Sequence, residues 1–326
     1  MPLLKLVPDN TNIDFMRWRN VALVLSIIAT VASLALVAVR GLNLGVDFVG
    51  GQMVRATFSR NAPIEDIRAR VASLGIGEAS IQEFGDPKTL SIRLPLPKGD
   101  ESAANAAGSR VRAVIAQKYP DTKFAVDTVS GKVSNELYKS GALAIALSML
   151  GIAIYIWVRF EWQFGVGALV TLFHDVSMTM GFFALTRLQF DLNVVAAILT
   201  IVGYSLNDTV VIYDRIRENL RKYRKMEIVP LLNLSLNETL SRTMVTSLSI
   251  MLALLALLLI GPEVIFGLTI AILLGIFIGT YSSVYISSPI LVWLKVTSDS
   301  FLPKGGTGSG PGGGGAERVS KYNESF

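Results

Sequence analysis

An aspartate lies inside one of the apolar stretches of this chain, where a charge is costly. Residues 192–219 read LNVVAAILTIVGYSLNDTVVIYDRIREN, and Asn207 and Asp208 interrupt their apolar part. A carboxylate near the centre of a bilayer costs roughly 2.5–3.5 kcal/mol on insertion scales, so such acids are rare and usually functional. At helical spacing, Tyr204 and Ser205 are predicted to lie within hydrogen-bonding reach of Asp208. The sequence predicts a protonatable group on an ion pathway; an inert structural carboxylate is the alternative.

Two neighbouring residues of another apolar segment could share this chemistry. His174 and Asp175 lie near the middle of the third such segment. A lone histidine in a membrane helix often hydrogen-bonds to another helix. It also titrates near neutral pH, which suits a proton relay. Both roles stay open for this pair.

Arg242 lies just before the fifth apolar segment. Ser235 and Glu238 have the spacing of a capping box, which predicts a helix that begins before Arg242 and contains it. The arginine either extends its side chain to the membrane surface or is a charge partner of Asp208. The sequence alone leaves both open.

The composition is that of a membrane protein. Of 326 residues, 51% are hydrophobic and 17% are charged, whereas soluble domains carry about 25% charged residues. The net charge of +5 indicates nucleic acid only weakly, because the basic residues flank apolar segments, and we predict no nucleic-acid partner. The chain has no cysteine and one histidine, which argues against thiol chemistry and a metal site. With no nucleotide loop or catalytic triad in the sequence, we predict neither an enzyme nor a cofactor.

Six apolar segments are long enough to cross a bilayer. They are Val21–Val39, Gly141–Val158, Phe164–Leu185, Leu192–Tyr213, Met244–Ile260 and Val264–Leu294. The positive-inside rule places the basic loop Arg215–Lys225 and both termini in the cytoplasm. The last segment contains Gly275 and Gly279 in a GxxxG motif, which suits close contact between helices, and a polar run, Thr280–Ser288. The polar run could line a wet interface or form contacts between helices.

A polar stretch between the first two apolar segments patterns as a small α+β domain. The predicted elements are strand Gln52–Ser59, a helix capped by Asn61 and stopped by Gly75, strands Ser80–Glu83 and Leu90–Leu94, helix Ser102–Lys118 and strand Lys123–Val129. The order βαββαβ is the ferredoxin-like arrangement. The predicted fold is therefore a multi-span α-helical membrane protein with six transmembrane helices and one small extracytoplasmic domain between helices 1 and 2.

The predicted division of the chain has four parts. Residues 1–40 form a cytoplasmic N-terminus and the first span, 41–140 the extracytoplasmic domain and 141–297 the other five spans. The remaining residues, 298–326, include a glycine-rich stretch and are predicted to be a disordered cytoplasmic tail.

Several short motifs together resemble the SecD/SecF family of protein-export membrane proteins. The first, GVDFVGG, spans residues 45–51 and is here called the signature loop, with Gly45, Asp47, Phe48, Gly50 and Gly51 as its characteristic residues. Taken alone it is a glycine-rich turn. The others are HD at 174–175, GYSLNDTVV at 203–211, DRIREN at 214–219 and SRT at 241–243.

The resemblance implies a function and partners. Asp208 and Arg242 match the intramembrane aspartate and arginine of this family, whose members resemble proton-driven resistance–nodulation–division transporters. A chain of this kind is expected to pair with a SecD-like six-span subunit in the lipid of the bacterial cytoplasmic membrane. It would act beside a SecYEG-type channel and use the proton-motive force to export secretory preproteins. Half of a proton-driven small-molecule exporter and a non-conducting assembly factor are the alternatives.

Overall fold

The structure of the protein, a computed structural model, describes residues 11–76, 79–94 and 101–297, without the side chains of 101–104 and 263. The tail predicted to be disordered, 298–326, lies outside the described residues. The division at residues 40, 140 and 297 stays a prediction.

The described chain begins with one long helix and a short connector. After a single 3₁₀ turn come α1 (Arg19–Arg40), β1 (Asn43–Leu44) and α2 (Val46–Val49). Gly50 and Gly51 follow with φ angles of 75° and 121°. Glycine adopts these angles at low cost, so the signature loop can turn sharply into the sheet domain.

The sheet domain contains four strands and two helices. In chain order they are β2 (Gly51–Thr57), α3 (Ile64–Ser73), β3 (Ser80–Phe84), β4 (Asp86–Leu94), α4 (Glu101–Lys118) and β5 (Lys123–Val129). The sheet order is β3-β4-β2-β5 with antiparallel neighbours throughout. Alternate strand residues such as Val54 and Ile92 pack against Ile67 of α3 and Val111 of α4. The predicted α+β domain is confirmed.

One local prediction in this domain is wrong. Asn61 does not cap α3, because the residue before the helix is Pro63 and the helix has no side-chain capping hydrogen bond among the described residues. Proline has no amide hydrogen, and its fixed φ suits the entry into a helix. The start of the helix therefore lies beyond the reach of Asn61.

The rest of the described chain is almost entirely helical. Its elements are α5 (Gly131–Arg159), α6 (Trp162–Thr186), β6 (Gln189–Phe190), α7 (Leu192–Lys222), α8 (Ile228–Ile260), α9 (Phe266–Ser282) and α10 (Ser288–Trp293). A π-helical turn, Ser283–Ser287, joins α9 to α10 just before Pro289. The strands β1 and β6 pair in parallel.

Six helices of the described residues are long and apolar enough to cross a membrane, as predicted: α1, α5, α6, α7, α8 and the α9–α10 unit. Two of them begin well before the apolar segments. α5 starts at Gly131, and its first turns carry exposed Lys132 and Glu136. A hydropathy pattern finds only the part of a helix that suits lipid, so it misses such polar turns.

The capping-box prediction at Ser235 and Glu238 is also wrong. α8 begins at Ile228, and its interior contains Ser235, which donates a hydrogen bond to the carbonyl of Leu231 over 2.8 Å. Arg242 does lie inside the helix, as predicted. Buried leucines upstream, including Leu232, extend the helix into the core and outweigh the local capping signal.

The helix α7 lies at the centre of the bundle, where it contacts α5, α6, α8 and α9. The GxxxG motif of α9 faces it: a Cβ atom on Gly275 would overlap Ile201, and one on Gly279 would lie 3.2 Å from Ser205 Cβ. Serines of the predicted contact run, such as Ser283 and Ser287, are fully buried. The glycines and these serines thus serve helix packing within this chain.

Candidate functional site in the membrane helices

Asp208 lies in the interior of the bundle. It follows the first residue of α7 by about 24 Å along the helix axis, at a rise of about 1.5 Å per residue. Only 3% of the residue is exposed. Its Oδ2 atom has no hydrogen-bond partner within the described part of the chain. A buried polar atom without a partner is unfavourable, so this oxygen is available to a proton, a water molecule or a donor from another chain.

The structure gives Tyr204 and Ser205 partners other than Asp208. The hydroxyl of Ser205 donates to Asp175 Oδ2 over 2.5 Å. The hydroxyl of Tyr204 lies 2.9 Å from Ser247 Oγ on α8. The predicted hydrogen bonds from these two residues to Asp208 are therefore not formed among the described residues.

Asp175 joins three helices. Its Oδ1 atom lies 2.9 Å from Nδ1 of His174, and its Oδ2 atom accepts hydrogen bonds from Ser205 on α7 and from Ser282 on α9, the latter over 2.9 Å. The residue is completely buried. Both carboxylate oxygens have partners, so the contacts between helices that the sequence allowed for this pair are present. Its share in proton transfer stays a prediction.

A second group of hydroxyls joins α7 to α8 and α8 to α9. Ser247 Oγ lies 2.9 Å from Thr280 Oγ1 of α9 as well as 2.9 Å from the Tyr204 hydroxyl. Ser247 is buried and its hydroxyl also interacts with Asp208. Ser247 therefore connects Asp208 and Tyr204 of α7 to Thr280 of α9.

Asn207 points away from this interior. It belongs to an exposed stripe of α7, spaced three or four residues apart, that we call the outward stripe: Asn193, Ala196, Thr200, Gly203 and Asn207. These side chains are small or polar. Such a surface suits another helix better than lipid.

Arg242 is exposed on α8. Within the described residues it forms no ion pair, so the structure does not join it to Asp208. Its neighbour Thr243 is buried instead, because the buried stripe of α8 passes through Thr243 and Ser247. The pairing of Arg242 with Asp208 stays a prediction.

The DRIREN motif has a role that the spacing of its residues did not indicate. Asp214 pairs with Arg159 over 2.9 Å, and Arg217 pairs with Glu161 over 3.1 Å. Arg215 contacts Glu238 of α8 over 2.7 Å. The motif therefore fastens the end of α7 to α8 and to the turn between α5 and α6. These partners are distant in sequence, so no local pattern could reveal them.

The signature loop contacts the start of α7. Asp47 Oδ2 accepts a hydrogen bond from the Leu192 amide over 3.0 Å. The Phe48 ring packs against Phe190 and Tyr138 at centroid distances of 6.0 and 6.1 Å. Asp191 caps the same helix by accepting from the Val194 amide, and burial, more than the nearby Asp47, raises the pKa of Asp191.

Comparison with known proteins decides the family. The profile described as "Protein export membrane protein SecD/SecF, C-terminal" matches residues 111–297, and the "SecD/SecF GG Motif" matches residues 35–62. The protein translocase subunit SecF of Rickettsia rickettsii is 44% identical over 293 residues, which cover 88% of this chain and 94% of that protein. The chain belongs to the SecD/SecF family of protein-export membrane proteins. The signature loop lies inside the GG motif.

Further relatives agree with this assignment. The protein translocase subunit SecF of Rickettsia bellii is 42% identical over 290 residues, 88% of this chain and 95% of that protein. A crystal structure of SecDF, a translocon-associated membrane protein from Thermus thermophilus, is similar with a TM-score of 0.81 and 32% identity. The alignment covers 89% of this chain and 40% of that chain. The SecD/SecF fold extends over both the membrane helices and the sheet domain.

A second SecDF structure is less similar in shape. SecDF in its super-membrane-facing form gives a TM-score of 0.63, with 32% identity, 90% of this chain covered and 40% of that chain. Identity and coverage are nearly the same in both comparisons, so the arrangement of this chain is more similar to the first SecDF structure than to the second.

Proposed function

We propose that this chain is a proton-driven subunit of the bacterial Sec translocation machinery, in which Asp208 takes up and releases the proton. Together with a SecD-like six-span subunit, it would draw secretory preproteins out of a SecYEG-type channel. In this proposal the chain is a transport subunit and not an enzyme.

The proposal rests on the Oδ2 atom of Asp208, which has no hydrogen-bond partner among the residues that the structure describes. Asp175 is as deeply buried, but its two oxygens have three partners. A change of charge at Asp175 would break contacts between helices. A change at Asp208 would leave those contacts in place, which suits a group that is protonated and deprotonated in every cycle.

The available energy is sufficient to rearrange contacts of the kind that surround Asp208. One charge that crosses about 100 mV releases roughly 2.3 kcal/mol. Hydrogen bonds between membrane helices average about 0.6 kcal/mol, with a maximum of about 1.7 kcal/mol. The passage of one proton can therefore break and remake a contact such as the one between Tyr204 and Ser247.

We assign the neighbouring groups to supporting roles. His174 and Asp175 hold α6 against α7 and share in proton transfer through Ser205. Arg242 is exposed on α8. We assign it as the charge partner of Asp208 in the complex with the partner subunit.

The outward stripe of α7 supports a partner of the same six-span plan. Asn207 lies on this stripe, one residue before Asp208. A lipid-facing asparagine is unfavourable, whereas one in contact with another helix can find a hydrogen-bond partner. The chain also spans 40% of the SecDF chain from Thermus, which leaves room in that protein for a second half.

The orientation follows from charge. Arg221, Lys222, Arg224 and Lys225 lie at and beyond the end of α7 that is farther from the sheet domain. The positive-inside rule places this end in the cytoplasm, with both termini, and the sheet domain outside. The chain then lies in the bacterial inner membrane, with lipid around the outer faces of its helices.

The test is release of a translocating preprotein under a proton gradient, in membranes that contain the chain, its SecD-like partner and the channel. Asp208→Asn keeps the side-chain shape and removes the titrating proton, so it is expected to insert and fold but to lose gradient-dependent release. Glu218→Gln is the matched control, because Glu218 is an exposed acid on the same helix. It is expected to keep release.

Two results would reject the relay. The first is normal gradient-dependent release by Asp208→Asn in membranes where release is lost when the chain is left out. That result would favour a non-conducting assembly factor. Equal loss in Asp208→Asn and Glu218→Gln would show that the assay reports damage to α7 and not proton transfer.

A further inference from the structure

The sheet domain contacts β1, the short strand just before the signature loop, from one side. The amide of Asn43 donates to Gln82 of β3 over 3.1 Å. The guanidinium of Arg93 on β4 donates to the carbonyl of Leu44. The loop then continues directly into β2. Three strands of the domain thus fix this segment.

The same residues are held by the start of α7 from the other side. Asn43 and Leu44 pair with Gln189 and Phe190 in the parallel β1–β6 ladder. The amide of Gly45 donates to the Phe190 carbonyl over 2.8 Å. The segment therefore joins the sheet domain to the approach of the helix that carries Asp208.

Asp47 makes the contact with the helix itself. Its carboxylate accepts a hydrogen bond from the Leu192 amide over 3.0 Å. The first amides of a helix have no partner inside it, and the helix dipole favours a negative charge at this end. The bond links two segments that are 145 residues apart in the chain, so it fastens one part of the fold to another.

We propose that residues 43–47 form a joint through which movement of α7 is transmitted to the sheet domain, with Asp47 as its positioning residue. The inference rests on the proposed proton-driven function, since it concerns how a change at Asp208 reaches the domain. α7 is one continuous helix of 31 residues. A shift of the helix at Asp208 therefore moves Leu192, and Asp47 with it.

The residues of the joint are closely packed against the start of α7. A Cβ atom on Gly45 would lie 3.2 Å from Asp191 Cβ and 3.4 Å from the Phe190 carbonyl oxygen. The Phe48 ring contacts Phe190 directly behind the loop. Because loop and helix start are in direct contact, a displacement of one requires a displacement of the other.

The experiment measures coupling, which is the amount of preprotein released per proton moved, in vesicles that contain the full chain with its SecD-like partner and the channel. Asp47→Ala removes the acceptor and is expected to lower this ratio about tenfold, the size that follows from losing one hydrogen bond to a charged group. Proton movement itself is expected to continue. Asp47→Asn keeps an oxygen that can accept from the Leu192 amide and is expected to restore most of the ratio. Gly45→Ala is expected to give an intermediate ratio, because the added methyl group separates loop and helix.

Asp191→Ala is the matched control. Asp191 also accepts a hydrogen bond at the start of α7, but within its own segment. This variant is expected to lower thermal stability and to leave release per proton unchanged. A stability measurement on every variant separates loss of folding from loss of coupling.

The outcomes distinguish failure of the joint from failure of the proposed function on which it rests. If the unsubstituted complex shows no gradient-dependent release, the proposed function fails and the joint fails with it. If that complex responds and Asp47→Ala responds equally, the joint alone is rejected. Parallel loss of release, proton movement and stability in Asp47→Ala and Asp191→Ala would show a purely structural residue, and would also reject it.

Discussion

Ser205 donates its hydrogen bond to Asp175 on α6, over 2.5 Å, although it lies one helical turn from Asp208 on its own helix. The hydroxyl that local spacing would give to Asp208 instead holds two helices together. Asp175 is thereby fixed by its partners, whereas one oxygen of Asp208 has no partner in the described part of the chain. A change of charge at Asp175 would therefore break contacts between helices, whereas a change at Asp208 would leave those contacts in place.

The first prediction concerns this difference. Ser205→Ala and Ser282→Ala each remove one hydrogen bond to Asp175, so each is expected to lower the free energy of unfolding in detergent by about 0.6–1.7 kcal/mol. Ser249→Ala is the control, because Ser249 is exposed and its hydroxyl donates to the Val245 carbonyl of its own helix. An equal loss in the control, or none in the two buried variants, would contradict the role of Asp175 as a link between helices.

Much of the fold could be predicted because its signals are local. The strand Lys123–Val129 has the predicted bounds, and six spans follow from apolar length alone. The starts of α5 and α8 could not be predicted in this way, since polar or amphipathic turns extend both helices beyond their apolar parts.

The sequence points to the acids of the candidate site, but not to the partners of the residues beside Asp208. Asp208 is detectable because the surrounding sequence is apolar. The partners of its neighbours lie on other helices: Tyr204 contacts Ser247, 43 residues later, and Ser205 contacts Asp175, 30 residues earlier. Spacing along one helix shows which residues share a face, but it does not show which neighbouring helix that face meets.

The second prediction concerns Arg242. Because it forms no ion pair within the described residues, Arg242→Ala is expected to leave the melting temperature of the isolated chain unchanged. In the complex it is expected to reduce gradient-driven export. Arg242→Lys keeps the charge but loses the planar guanidinium, so partial activity is expected. Export by Arg242→Ala at the unsubstituted rate would exclude a role for this arginine.

The third prediction concerns orientation. The chain has no cysteine, so single introduced cysteines can be labelled without background. Arg110→Cys, on an exposed face of α4, is expected to react with an impermeant maleimide added outside intact cells, and Lys225→Cys is expected not to react. Both should react after the membrane is opened. The reverse pattern in intact cells would overturn the proposed orientation.

The fourth prediction concerns acid stability of the sheet domain. Hydrogen bonds from Lys118, then Arg70, lower the pKa of Asp66 from 3.8 to about 2. A lowered pKa in the folded state means that the stabilising contribution is complete above the unfolded value and is lost as the pH falls toward about 2. Hydrogen exchange in α3 and α4 of the full chain is expected to rise within this window. Asp66→Asn should show a smaller change there, and an identical profile would contradict the assignment.

The last prediction concerns the surface on which the partner lies. The exposed face of α5 carries large apolar side chains such as Leu147 and Ile154, which are 57% and 56% exposed and suit lipid. The outward stripe of α7 carries Thr200, Gly203 and Asn207 instead. A second bundle on this side would keep lipid away from Asn207 and would lie against the helix that carries Asp208.

Cysteines at Thr200 and Asn207 are therefore expected to crosslink to a SecD-like subunit in native membranes, and cysteines at Leu147 and Ile154 are not. Gentle detergent extraction followed by mass measurement should recover the paired complex. The α5 variants are the matched control, since they report collisions of exposed positions at a similar depth. Equal crosslinking from the outward stripe of α7 and from the exposed face of α5 would show that the outward stripe is not the docking surface. Recovery of the free chain alone, fully active in proton-driven export with only the channel added, would reject the paired arrangement altogether.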